Sequence, residues 1–178
     1  IGGTGLAIST DGVGSKILIA QMMDKYDTVG IDCVAMNVND VLCVGAEPLA
    51  MVDYIAVQEP NPRLLGELAK GLKAGALTAG ITIPAGEIAQ VRDIIKGVRP
   101  GYGFDLAGTA VGTVPLDKIL VGRSIEPDDV ILGLRSTGVH SNGVTLARRL
   151  LKKYRATTHF NDPDELARQS KIMLGILR

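Results

Sequence analysis

The sequence has 178 residues, 46% apolar and 21% charged, and its 19 basic and 19 acidic side chains balance to a formal net charge of +0. A chain of this length can bury a real core, but its balanced charge gives no global field to draw in nucleic acid or an anionic membrane. Trp is absent and only two Phe and four Tyr occur, so base stacking is poorly supplied, and neither nucleic acid nor membrane is expected as a partner.

LAIST (6–10) is short and β-compatible, and it runs into STDGVGSK, Ser9 to Lys16. Residues 17–26 have helical spacing. Residues 29–46 read as a mostly buried helix with Ile31, Ala35, Val38 and Leu42 on one stripe and a stop at Gly45. After Pro48, residues 49–58 are β-branched, aromatic and apolar on both faces except at Asp53, as a central strand requires. The next helix spans 60–80, with Asn61 as N-cap, Pro62 at the first position and Gly80 as the stop. Leu64, Leu65, Leu68, Leu72 and Leu77 form its expected buried stripe.

ITIP (81–84) and FDLAGTAVGTV (104–114) read as further strands separated by a Gly-rich, charged loop. The irregular stretch 115–129 is the expected domain boundary, giving domains 1–128 and 129–178. Beyond it come a strand VILGL (130–134), the turn STGVHSNG (136–143), an amphipathic helix (144–154) and a last helix (162–178). Cys33 and Cys43 belong to no metal-type cluster, and buried free thiols in a reducing compartment are expected. Without a membrane-length apolar run or a signal-like start, the chain reads as cytoplasmic. Its abrupt ends, IGGTG and GILR, suggest a portion of a longer chain.

Four acids sit where composition alone would not put them. Asp11 lies in the glycine turn, Asp40 in an apolar helix beside Asn39, Asp53 inside an apolar strand, and Glu87 after ITIPAG. Two carboxylates about 4 Å apart repel by roughly 4 kcal/mol at an effective dielectric of about 20. Gathered acids therefore need a cation, and an all-oxygen set suits Mg²⁺ shared with a substrate phosphate. Each acid also has a plainer role open to it: a turn for Asp11, solvent for Asp40, an ion pair for Asp53 and an incidental position for Glu87.

DGVGSK matches neither the P-loop nor the dinucleotide spacing. Amides at Gly12, Val13 and Gly14 could still cradle phosphate oxygens, with Lys16 adding charge. His140 is flanked by Ser141 and Asn142 at a strand-to-helix junction, where a general acid or base, or only an Asn142 cap with an incidental His, would fit.

STDGVGSK, GIDCVAMNVNDVLCVGAEPLAMVDYIAV, AGEIA, FDLAGTAVGTV and STGVHSNG resemble, in order and from about Ser9 to Leu151, the PurM family of phosphoribosylformylglycinamidine cyclo-ligases (aminoimidazole ribonucleotide synthetases). GEIAQVRDIIKG is most similar to archaeal members. The resemblance implies an α/β (α+β) fold whose first domain is a mixed sheet flanked by helices. That sheet would form a barrel across a homodimer, followed by the start of a second α/β domain.

It implies a ligase that uses ATP and Mg²⁺ to cyclise formylglycinamidine ribonucleotide to aminoimidazole ribonucleotide in purine biosynthesis. By position, Asp11, Asp40 and Glu87 would bind metal. Asp11, Gly12, Gly14, Lys16 and Asn39 would bind ATP phosphates, His140 and Asp53 would be catalytic, and Ser141 and Asn142 would face the substrate. The role of Asp105 stays unassigned. Another PurM-type ATP enzyme (a small-molecule kinase or selenophosphate-type synthetase) and a non-catalytic fragment are the alternatives. The chain reads AGEI, Ala85 to Ile88, where the family usually reads GGET, and it is about half the family's length.

Overall fold

The computed structural model describes residues 2–136 and 139–157. Strand β1 (Thr4–Gly12) leads into helix α1 (Lys16–Met23), and α2 (Val29–Cys43) follows. Strand β2 (Glu47–Val57), helix α3 (Pro62–Ala79), strands β3 (Thr82–Gln90) and β4 (Phe104–Pro115) and helix α4 (Val144–Thr157) complete the order. The expected helix over 162–178 lies outside the described residues.

Local chemistry sets several boundaries. The Asn61 side chain accepts hydrogen bonds from the Arg63 and Leu64 amides, Pro62 opens α3, and Gly80 closes it at φ 69°. Helix α1 ends at Asp24, which adopts φ 51° while its carboxylate pairs with Arg63 (2.9 Å) and Arg99 (2.6 Å). The Arg63 pair ties α3 to the end of α1, and the Arg99 pair, with Gln21 Oε1 accepting from the Val98 amide at 2.8 Å, pins the long loop between β3 and β4 there. The Arg63 hydrogen bond, opposed by burial, holds the Asp24 carboxyl below its ordinary range.

The four strands form one mixed sheet in the order β1-β4-β2-β3. β4 runs antiparallel to both β1 and β2, and β2 and β3 are parallel. β2 is interior, as expected. Strand β4 alternates strictly, with Phe104, Leu106, Gly108, Ala110, Gly112 and Val114 buried under the helices.

Helices α2 and α3 cover that face and pack closely. A Cβ on Gly71 would stand 2.7 Å from the Asp27 carbonyl oxygen, and one on Gly75 would stand 2.9 Å from Val34 Cβ. The expected α3 stripe holds at Leu64, Leu68 and Leu72 and the α2 stripe at Val38, with the glycines joining the interface and the outermost leucines leaving it. On α2 the buried residues include Gly30, Cys33, Val34, Asn37, Val38 and Val41, while Leu42 is exposed. On α3 they are Leu64, Leu68, Gly71, Leu72, Gly75 and Ala76, while Leu77 is exposed.

The opposite sheet face is open. Leu6 and Ile8 pair with Thr113 and Val111 of β4, and Val52 and Tyr54 pair with Thr109 and Ala107. Leu6 and Ile8 are each 65% exposed and Val52 and Tyr54 44%, so β2 is covered on both sides only toward its end.

Three further expectations are corrected. ITIP does not end at a turn: β3 continues to Gln90, an edge strand that tolerates Pro84 because only one side of its ladder is paired. VILGL forms no strand, since no sheet among the described residues lies beside it, and Ile131, Leu132 and Leu134 are almost fully exposed. Cys33 is buried as expected, but Cys43 is exposed on the outer side of α2.

Candidate functional site

The end of β1 and the second half of α2 are joined by one amide. Asn37, fully buried in an otherwise apolar stripe, accepts from the Asp11 amide through Oδ1 at 2.9 Å. Its Nδ2 donates to the Asp11 carbonyl at 3.2 Å and to the Cys33 carbonyl at 2.9 Å. Gly108 of β4 makes the room: a Cβ there would meet Met51 Sδ at 2.8 Å and Asn37 Nδ2 at 2.9 Å.

One helical turn beyond Asn37, Asp40 accepts from Ser9 Oγ at 2.9 Å. Ser9 and Asp11 project from the same face of β1, two residues apart. Asp11 and Asp40 thus both lie along the seam of β1 and α2 at the sheet edge, Asp40 level with Ser9, and both are accessible to solvent. Asp11 lies in the strand rather than in the turn expected for it, paired with Gly108, and its Oδ1 accepts from the Gly12 amide at 2.7 Å. Gly12 is also strand, paired with Ala107. The turn falls at Gly14, whose φ of 65° suits glycine.

The Gly14 turn meets the second chemical stretch. Ser15 Oγ lies 3.0 Å from Thr145 Oγ1. Lys16 is not an open phosphate ligand, because its ammonium is 1% exposed, 2.9 Å from Asp32 Oδ1, and donates to the His140 carbonyl at 3.1 Å. Burial pushes the Asp32 carboxyl up, and the Lys16 ammonium opposes that rise. Val144 is buried against Ile19, with Val139 and Met23 beside them. Residues 139–145, including exposed His140 and Asn142 and half-buried Ser141, therefore sit next to the turn that follows Asp11.

Other predicted residues stand elsewhere. Asn39 is exposed, two residues and about 200° around α2 from the sheet-facing Asn37. Glu87 does not join Asp11 and Asp40. It pairs with Tyr54 on the open face, and β3 is the far edge of the sheet, three strand spacings or about 14 Å from β1. Among the described residues no group of three or more His, Cys, Asp or Glu could hold a metal ion. Asp11 and Asp40, the exposed carboxylates on this seam, are the residues that could hold Mg²⁺, which takes one or two carboxylates and completes its shell with water and phosphate oxygens.

Asp53 shares the helix-covered face with Asp11 but turns toward the other edge. A Cβ on Gly86 would collide with its carboxylate, so Gly86 makes its room. Asp53 lines a cleft of about 450 Å³ between α3 and the β2–β3 edge, with Ile55, Leu72, Lys73, Ala76 and Ile83. Burial pushes its carboxyl above the ordinary range. The structure does not bring Asp53 to His140. Asp105 is exposed on β4, where its Oδ1 accepts from the Leu106 amide at 2.9 Å.

Ser9, Asn37 and Asp32 were not among the predicted site residues. A buried polar residue in each case, Asn37 and Asp32 interrupt the apolar pattern of α2, and that was the readable signal. Burial also raises the Cys33 thiol, under the same helix, to about 12, with nearby carboxylates adding to the rise.

Residues 1–114 match the family described as AIR synthase related protein, N-terminal domain. The chain is 55% identical over 157 residues to the phosphoribosylformylglycinamidine cyclo-ligase of Pyrococcus horikoshii, covering 88% of this chain and 45% of that protein. It is 57% identical over 151 residues to the enzyme of the same name from Methanobrevibacter smithii, covering 85% and 43%. The chain thus spans less than half the length of these relatives. A crystal structure of the hydrogenase maturation protein HypE in complex with ATP superposes with a TM-score of 0.54 at 23% identity, covering 69% of this chain and 34% of that one, a likeness of fold. With its mixed sheet, its helix-covered face and a family match over most of its length, the chain belongs to the AIR synthase related family.

Proposed function

We propose that the protein is a cytoplasmic ATP-dependent ligase that closes the imidazole ring of aminoimidazole ribonucleotide from formylglycinamidine ribonucleotide, releasing ADP and phosphate. One observation carries the reading: Asp11 and Asp40 both lie on the seam between β1 and α2 that leads to the Gly14 turn, in a chain more than half identical to curated cyclo-ligases. In this reaction the formamide oxygen takes the γ-phosphoryl group and ADP leaves. The amidine nitrogen then attacks the same carbon, phosphate departs with the oxygen, and the nitrogen gives up its proton.

Asp11 and Asp40 would hold Mg²⁺, which when bound supplies positive charge against the polyphosphate. The backbone around Gly14, opening α1, presents amides to a phosphate. His140, Ser141 and Asn142 approach from the adjoining segment, where they would orient the nucleotide substrate and hold a proton near it. Asp53 in its separate cleft takes no part in this arrangement.

The open sheet face supports a homodimer. Leu6, Ile8, Val52 and Tyr54 form an apolar surface of the kind that a second copy covers, and pairing two such sheets would close their edges. Glu87 lies on this face, so any role it has belongs to the assembled dimer.

Formation of aminoimidazole ribonucleotide, with ADP and free phosphate in equal amounts, is the test. Asp40→Asn is expected to lower turnover by at least about a hundredfold. A phosphorylated product without free phosphate would favour a small-molecule kinase instead. Absence of Mg·ATP binding by calorimetry would favour a non-catalytic role.

A further inference from the structure

Lys16 and Asp32 form an ion pair with few routes to water, and neither was predicted to act through the other. Asp32 is 6% exposed and Lys16 1%. Their contact spans α1 and α2, and Lys16 extends it to a third element through the His140 carbonyl. Other groups also reach this segment: Val144 packs on Ile19, and Ser15 faces Thr145. A buried lysine without its carboxylate would give up its proton, leaving a weaker neutral donor, or withdraw to solvent, so the strength of the bond to His140 depends on Asp32 as well as on Lys16.

We infer that Asp32 is a positioning residue: by fixing the Lys16 ammonium it holds the backbone at His140, and so the segment 139–145, against the turn that follows Asp11. Burial pushes the Asp32 carboxyl up, and the Lys16 ammonium and the His140 ring both oppose that rise. Asp32 Oδ2 has no hydrogen-bond partner among the described residues. The carboxylate is retained there for one short contact, which an apolar side chain of similar size would replace without loss of packing. Residues 11–16 and 139–145 are far apart in sequence, and this pair is the buried charged link between them.

Two measurements on the full chain test the inference, and neither needs nucleotide or turnover, so failure here is separable from failure of the ligase reading. The first is nuclear magnetic resonance of the Lys16 ammonium. In the parent it exchanges slowly with water, and in Asp32→Asn exchange is expected to quicken at least about tenfold. Unchanged exchange in that variant would overturn the role of Asp32.

The second is hydrogen exchange in the double variant Lys16→Met with Asp32→Leu, which replaces the pair by apolar side chains and keeps the core filled. The α4 amides at 147–150 are expected to lose at least about tenfold in protection while those of β2 and β4 keep theirs. Equal protection at 147–150 in parent and double variant would show that Val144 and Ser15 suffice, and would overturn the latch.

Discussion

The two faces of the sheet obey different rules. On the covered face glycine and asparagine do the placing: Gly71 and Gly75 let α3 approach α2, Gly108 admits Asn37, and Gly86 admits Asp53. On the open face the positions facing outward are Leu6, Ile8, Val52 and Tyr54, which nothing among the described residues covers. One face is thus finished within a single copy, and its tolerance to change is set by steric fit. The other would be set by association in the proposed dimer, and its residues matter little to the folding of one copy.

The largest effect on stability is expected from Gly71→Ala. Its methyl would meet the Asp27 carbonyl and force α3 off α2, for about 3 kcal/mol. Denaturant titration measures it, and a loss near zero would mean the two helices are not packed as described. Next is Asn37→Ala, which strips partners from the Asp11 amide and carbonyl and from the Cys33 carbonyl, for about 2 kcal/mol. The same titration should also show that Asn37→Asp restores little, because a carboxylate cannot donate to those two carbonyls.

A smaller change, of opposite sign, is expected from Asp53→Asn. Burial raises the folded carboxyl above its ordinary 3.8, so the folded state holds the proton longer than the unfolded one. That contribution favours folding at low pH and fades as pH climbs through the raised value. Near neutral pH the neutral amide therefore melts higher than the parent, and the gap should close as pH falls to the ordinary carboxylate range. A gap independent of pH would mean that the carboxyl is not desolvated.

Ile8→Glu should change folding stability least, by under about 0.5 kcal/mol. Sedimentation should nevertheless shift it toward a single copy. A parent that is already a single copy at every concentration would break the comparison between faces.

Much of this was readable in the sequence. Asn61, Pro62 and Gly80 announced the ends of α3, and the alternation of 104–114 announced β4, because those signals are local. Strand β3 was cut short since Pro84 and Gly86 look like a turn. Its continuation depends on an edge position and on Asp53, neither visible from within the segment. The helix stripes were only partly legible for a related reason: Leu64, Leu68 and Leu72 of the expected α3 stripe are buried, but no local signal marked that Gly71 and Gly75 join them while Leu77 turns outward. Of the candidate site, Asp11 and Asp40 were legible as acids out of place. Glu87 was wrongly grouped with them, because strand parity and sheet order decide its face and edge.

The Asn37 side chain grips both the amide and the carbonyl of Asp11, while Asp40 rides on the next turn of the same helix. The gap between the two carboxylates is therefore ruled by the pitch of a rigid rod rather than by a supple loop. If a cation is held there as proposed, such a calliper would resist widening to suit a larger one.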